Sequence, residues 1–315
     1  MARRKRGNPV HGWVNFDKPL GMTSTQAVGK VRWLYSAQKA GHAGTLDPQA
    51  SGILPIALGD ATKTVPFLVE ARKTYICGVK WGERTDTLDV EGDIVATSDH
   101  RPTDAEIDAA IPAFLGKIQQ APPAFSAIKI DGKRAYDLAR AGDAPEMKKR
   151  QVEIDAIDVL ETHQDHALLR IKCGKGTYIR SFARDLAQKL GTEGHVISLR
   201  REAVGPFKES TAFSLDAMED LVHKGGVLEA LLGVETALDD IPVLAITADE
   251  RADLKQGRAI VLLPSAQAAL EAAFRPRMIG DLDASRFVLA RFEDKAVALC
   301  DARDGQLGPK RVFNL

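Results

Sequence analysis

The chain has 315 residues, 44% apolar and 27% charged, the balance of a soluble globular protein rather than a disordered or fibrous one, and its length suits about two domains. Lysine plus arginine equals aspartate plus glutamate at 43 each, which excludes an indiscriminate polyanion binder, and no uncharged apolar run approaches the ~18 residues of a bilayer span. Cys77, Cys173 and Cys300 lie far apart with no Cys-x-x-Cys pair, so they build neither a disulfide framework nor a zinc cage, and a reducing cytosol fits.

Residues 3–6 form a basic tip, but Gly7-Asn8-Pro9 follows where a secretory signal needs an apolar core, so no export is implied. Residues 12–16 alternate like a strand and run into a turn made by Pro19 and Gly21. Thr23 and Gln26 have the capping-box spacing, and Val28, Val31 and Leu34 recur at helical intervals. Residues 41–59 read as a loop punctuated by Gly and Pro, with a short apolar run at 53–58 inside it. A helix over residues 61–69 precedes a strand over 74–81, on which Tyr75, Cys77, Val79 and Trp81 share a face. Thr103 and Glu106 repeat the capping box before a helix to residue 115, and Asp131-Gly132 reads as a hairpin turn followed by a helix to residue 141. Strands at 152–160 and 166–173 lead to Gly174-Lys175-Gly176 and a helix over 177–190, which Gly191 closes.

Strands and helices are interleaved, but many connections are too short for right-handed crossovers. The predicted class is therefore α+β, with a mixed, largely antiparallel sheet flanked by helices. Past Leu238-Asp239-Asp240-Ile241-Pro242 come short alternating strands at 287–292 and 297–300, which predict a small β-rich C-terminal domain with an Ala-rich helix at 266–274.

Basic residues gather at 3–6, at Lys129, Lys133, Arg134 and Arg140, at Lys148-Lys149-Arg150, and through Lys172, Lys175, Arg180 and Arg184 to Arg200-Arg201. They suit a local phosphate-tracking surface, or simply solvated faces. Residues 59–64 fail as a phosphate loop on glycine spacing. His163 and His166 have a ligand interval without a Cys to complete a set, so they read as surface histidines. The informative stretch is Gly41-His42-Ala43-Gly44-Thr45-Leu46-Asp47-Pro48-Gln49-Ala50-Ser51-Gly52-Ile53-Leu54-Pro55. It holds a carboxylate on a turn stiffened by Pro48, among glycines that let another backbone come close. By itself an Asp-Pro turn is commonplace.

That stretch resembles the catalytic motif of the TruB family of tRNA pseudouridine-55 synthases. Four more segments match in order: Lys18-Pro19-Leu20-Gly21-Met22-Thr23-Ser24, Pro122-Pro123-Ala124-Phe125-Ser126-Ala127-Ile128-Lys129, Gly176-Thr177-Tyr178-Ile179-Arg180-Ser181, and His195-Val196-Ile197-Ser198-Leu199-Arg200-Arg201. The match is strong over residues 11–215 and weaker beyond. The resemblance implies a sheet of the pseudouridine synthase type in a catalytic domain at 11–238, after a basic tip at 1–10. It also implies an RNA-gripping insertion at 126–150 and a PUA-like domain at 239–315, although residues 263–285 are longer and richer in Ala than a compact PUA-like domain needs.

The activity so implied is that of a stand-alone, monomeric, cytoplasmic isomerase. It takes uridine 55 from the T loop of tRNA, detaches the uracil and rejoins it through carbon, with no metal, nucleotide or other cofactor. Asp47 matches the essential carboxylate, and an ionised Asp acts as a nucleophile without a separate base. It attacks or stabilises ribose C1′, with a glycal route as a variant, or it adds to C6 of the ring. Arg180 matches the partner of that Asp, its alternative being a phosphate clamp. Tyr75 matches the aromatic that stacks on the flipped ring and moves a proton. Tyr178 and Leu199 match the lining of the uracil pocket, and His42 the residue that fills the vacated stack. The rivals are a guide-RNA-dependent subunit of an H/ACA particle, which the short tip and the lack of a Lys-rich tail disfavour, and a non-catalytic chaperone gripping the T arm.

Overall fold

A computed structural model describes residues 7–126, 128–130, 132–141 and 145–315. The basic tip at residues 3–6 lies outside the described residues, as do 127, 131 and 142–144 of the expected insertion and the side chains of Lys129, Lys133 and Arg134.

A ten-stranded sheet organises the first 232 residues. β1 (Gly12–Lys18) is buried along nearly its whole length, because both of its faces are covered. Trp13 enters one core with Phe207, while Val14 and Phe16 enter another. The helix α1 (Ser24–Leu34) closes the second core with Ala27, Val31 and Leu34, and its N-terminus carries the expected Thr23–Gln26 capping box.

Residues 41–59 are not one loop. They contain β2 (Ala40–His42) and β3 (Ala50–Leu58), and only 43–49 connect them. Gly52 and Pro55 make the run look irregular, yet β3 accommodates both. On one edge, residues 56–58 pair with β2 while residues 50–52 pair with 199–201, which leaves 53–55 between two partners. The missing amide of Pro55 falls in that gap, where no ladder bond is lost. Gly52 has φ of +102°, and a Cβ there would meet the Arg201 carbonyl oxygen at 2.3 Å. A glycine is needed for these two backbones to touch.

β4 (Lys73–Trp81) begins one residue earlier than the pattern suggested and lies between Gly194–Val204 and His166–Cys173. Across the sheet the order is Leu231–Leu232, β1, β3, Gly194–Val204, β4, His166–Cys173, Arg150–Thr162 and Gly116–Gln120. Between its strands, among the described residues, the pairing of 50–52 with 199–201 is parallel and the others are antiparallel, and isolated parallel bridges join Phe16 to Phe213 and Val196 to Asp89. The sheet is thus mixed and largely antiparallel, in an α+β frame.

Two expected helices are interrupted. Residues 59–70 divide into a 3-10 turn, Gly59–Lys63, and the helix Val65–Glu70, because Pro66 has no amide to continue a helix but suits its first turn. The helix Asp104–Ala110 likewise passes into the 3-10 turn Ile111–Phe114 at Pro112. The helix Ile179–Lys189 packs Phe182, Ala183 and Leu186 against the sheet.

A second, five-stranded sheet is ordered Val243–Ala245, Phe287–Phe292, Lys295–Arg303, Gln306–Val312 and Ile260–Val261, with helices Ala248–Lys255 and Pro264–Ala273 beside it. It shares a core with the first sheet. Trp13, Phe67 and Phe207 belong to the same cluster as Phe287, Leu299 and Phe313, and the Phe67 and Phe287 rings lie 6.0 Å apart. Lys63 Nζ donates to the Val312 carbonyl at 2.6 Å, and the Asn314 amide donates to Asp60 at 2.6 Å. Among the described residues no helix is long and apolar enough to cross a membrane.

Candidate active site

The connection 43–49 leaves the sheet where its own hydrogen bonding runs out, and its path is fixed by main-chain bonds. Ser24, at the start of α1, exchanges two 2.9 Å bonds with Leu46: the Leu46 amide donates to the Ser24 hydroxyl oxygen, and that hydroxyl donates to the Leu46 carbonyl. The Gly21 amide donates to the Pro48 carbonyl at 2.8 Å. From the other side comes Arg201, 1% exposed on the strand Gly194–Val204. Its guanidinium fills the gap beside residues 53–55, donating to the carbonyls of Ile53 at 2.7 Å, Gly44 at 3.2 Å and Thr45 at 3.3 Å.

Asp47 sits on this connection with its side chain about two-fifths exposed. Arg180, in the first turn of Ile179–Lys189, is almost fully buried and spreads its fork between two carboxylates. Nη2 lies 2.8 Å from Asp47 Oδ2, and Nη1 lies 3.3 Å from Asp89 Oδ2. The same nitrogens donate to the carbonyls of Thr87 and Phe125 at 2.9 and 3.0 Å. Asp89 is itself held by the Thr87 hydroxyl and the Glu91 amide. A planar fork with this many acceptors fixes direction as well as charge.

Beside the pair is a cavity of about 270 Å³, lined by Asp47, Tyr75, Tyr178, Arg180, Leu199 and Arg201 among others. That is just under the roughly 300 Å³ at which drug-sized pockets begin, a size for one nucleoside. Tyr75 on β4 stands opposite Arg201 in register, and Cys77 opposite Leu199. Burial pushes the Tyr75 phenol above its ordinary value, with the Arg201 charge acting the other way. Tyr178 caps Ile179–Lys189, its amide donating to Gln120 at 2.8 Å, and burial followed by the Asp47 charge raises its phenol too. His42 ends β2 outside the cavity lining. Burial and then Arg201 lower its imidazole below the usual value, with the Gly44 backbone acting the other way.

Five of the six residues singled out from the sequence therefore meet at one cavity, and His42 stands just behind it. Four charged residues were missed. Asp89 carried no signal beyond its turn. Arg201 and Lys18 lay in recognised segments without an assigned place. Lys73 fell one residue before the expected strand, although it shares the face of Tyr75 and Cys77. Lys18 is 0% exposed and donates to the carbonyls of Pro19 and Met22 at 2.9 and 2.8 Å. Burial, then Arg201, pull it down to about 8 against the opposing pull of Asp47. Among the described residues no group of three or more His, Cys, Asp or Glu is arranged to hold a metal ion.

The whole fold is shared with solved structures. One chain of an H/ACA RNP bound to a substrate RNA containing 2′-deoxyuridine superposes with a TM-score of 0.72 at 24% identity, covering 100% of this chain and 92% of that one. The family model for TruB family pseudouridylate synthase (N terminal domain) matches residues 32–179, and that for the tRNA pseudouridylate synthase B C-terminal domain matches residues 180–239. A protein of Caulobacter vibrioides named tRNA pseudouridine synthase B is 54% identical, and one of the same name from Caulobacter sp. strain K31 is 52% identical. Both alignments span 100% of this chain and of the relative. The chain belongs to the TruB family of pseudouridylate synthases.

Proposed function

We propose that the protein is a stand-alone isomerase that converts uridine 55 in the T loop of tRNA to pseudouridine, as a cytoplasmic monomer needing no metal or cofactor. The observation that carries this reading is Asp47, a carboxylate at the mouth of a nucleoside-sized cavity, paired at 2.8 Å to a buried arginine fork. Full-length relatives named tRNA pseudouridine synthase B support tRNA as the substrate and favour a stand-alone enzyme over a guide-dependent subunit.

A loop uridine must leave its stack to reach such a cavity, at a cost of a few kcal/mol. Stacking on Tyr75 returns roughly 1–3 kcal/mol, and a neutral phenol is suited to that contact and to moving a proton. His42, neutral at physiological pH, fills the space the base leaves. Arg180 engages Asp47 Oδ2, so Oδ1 is the oxygen left to face the ribose. There it captures C1′ as the glycosidic bond breaks, or adds to the ring at C6. Tyr178 and Leu199 wall the detached uracil so that it turns without escaping. The segment 126–150 grips the T-stem phosphates, and residues 239–315 form a PUA-like domain behind the site.

Joining C5 to C1′ displaces the C5 proton, so tritium release from C5-labelled uridine in an unmodified T-arm hairpin reads the reaction directly. Release by the wild type and none by Asp47→Asn is the expected result. If neither releases tritium while both bind the hairpin, stand-alone catalysis is wrong and the guide-dependent or chaperone reading takes its place.

A further inference from the structure

The cavity carries more positive charge than its carboxylates balance. Its buried cations, Lys73, Arg180 and Arg201, are each 7% exposed or less, against Asp47 on the lining and Asp89 paired to Arg180 from outside it. Three buried cations less two carboxylates leave an excess of one. Arg180 is matched by both acids, and Arg201 secures the Asp47 connection through the Gly44 and Thr45 carbonyls. Lys73 is the member without such a task.

Lys73 is 6% exposed and lines the cavity on the same strand face as Tyr75. Its ammonium donates to the carbonyls of Val69 and Ala71 at 2.5 and 2.6 Å and of Leu68 at 3.4 Å, the open end of the helix Val65–Glu70. Among the described residues no carboxylate is within ion-pair reach of it, and the nearby Glu70 is engaged by Lys175 at 2.7 Å. A cation at a helix C-terminus is favourable, but the same service is available from a solvated side chain. Burying it unpaired beside a cavity is costly. Burial pulls it down to about 8, which still leaves it charged at neutral pH.

We propose that Lys73 stabilises the negative charge that develops on the uracil ring when it leaves the ribose. This rests on the isomerase reading above. As C1′–N1 breaks, its electron pair goes to N1, and C1′ is satisfied by an Asp47 oxygen or by loss of the C2′ proton. The ring is an anion until C5 attacks C1′, as the C1′–O bond to Asp47 breaks or C2′ regains its proton; the C5 proton is then shed and N1 takes one up. A fixed positive charge in the cavity wall stabilises that anion without acting on the neutral substrate. The helix carbonyls hold the ammonium in place, so it faces the ring as a field and not as a proton donor.

The test compares wild type with Lys73→Gln, which keeps donors for the helix carbonyls but not the charge. Single-turnover cleavage is followed on T-arm hairpins carrying uridine or 5-fluorouridine at the target, since fluorine at C5 makes the ring a better anionic leaving group. On uridine RNA the variant is expected to slow by about 100-fold, with hairpin affinity unchanged. On fluorinated RNA the deficit shrinks severalfold, and Lys73→Arg recovers most of the rate on both. Equal deficits on the two RNAs, or a loss of affinity with unchanged rate, would leave Lys73 a structural cap and overturn the proposal. Should Lys73→Gln fail to fold, Lys73→Met carries the same leaving-group readout, with Lys73→Arg as the charge-matched control. A wild type that turns over neither RNA removes the isomerase reading and this proposal with it.

Discussion

Gly52→Ala tests whether the close approach of β3 to residue 201 positions Asp47. The added Cβ would lie 2.3 Å from the Arg201 carbonyl oxygen and 2.8 Å from its amide nitrogen. Ordinary contact begins at 3.4 Å, so the two strands must part by about 1 Å. Both clashing atoms are backbone, and neither can swing away. The φ of +102° adds strain of roughly 1–2 kcal/mol for a residue with a side chain, and the overpacking adds about 1–3 kcal/mol. A total loss of about 2–5 kcal/mol leaves a typical domain folded. The displacement moves the Arg201 guanidinium off the Gly44 and Thr45 carbonyls, and a 1 Å misplacement near the reacting groups costs about 100-fold in rate. Circular dichroism and thermal melting should report a folded protein with a lowered midpoint, and single-turnover tritium release should be slower by about two orders of magnitude. Hairpin affinity should change little. A variant that melts like the wild type and reacts at its rate would show that this contact does not set the geometry of the Asp47 connection.

Three further outcomes follow from the same geometry. Gly29→Ala, on the exposed side of α1 with open space at the added methyl, should raise stability by up to about 1 kcal/mol in denaturant melts, with turnover unchanged. Arg180→Lys keeps the charge but loses the fork that spans Asp47, Asp89 and two carbonyls; steady-state kinetics should show a fall of about 100-fold or more, and near-wild-type turnover would argue against a directional role. Lys73 is shifted from 10.5 to about 8 by burial and then by Arg201, so between those values the unfolded chain holds a proton that the folded chain lacks. Its contribution to stability therefore rises with pH across that window. Wild type should gain about 1–3 kcal/mol on Lys73→Gln between pH 8 and 10.5, while a constant difference would mean that the ammonium is not shifted.

Much of the frame was legible because its signals are local. The Thr23–Gln26 capping box, the hydrophobic spacing of α1 and the alternation of 166–173 are each satisfied by neighbouring residues. Residues 41–59 were misread because Gly52 and Pro55 signal irregularity, whereas their tolerance in β3 comes from residues 199–201 and 40–42, far away in sequence. The same distinction divides the site. Asp47, Tyr75, Tyr178, Arg180 and Leu199 sit in recognisable segments, and they converge on one cavity. Asp89 is paired to Arg180 across 91 positions, by a turn with no pattern of its own. Lys73 and Arg201 are single charges on strands, and nothing in their immediate neighbours says that carbonyl oxygens will gather around them.

The cations of the site are held mostly by the main chain: Lys18 by residues 19 and 22, Lys73 by 68, 69 and 71, Arg201 by 44, 45 and 53. No side-chain substitution at those eight acceptor positions deletes an acceptor, because every residue type carries the same carbonyl. Sequence drift there is tolerated so long as the chain keeps its course. The cations thus have no partner residue with which to change in concert. A search for correlated substitutions would overlook them, while an insertion or deletion of a single residue in any of these three segments would disarm the site at once.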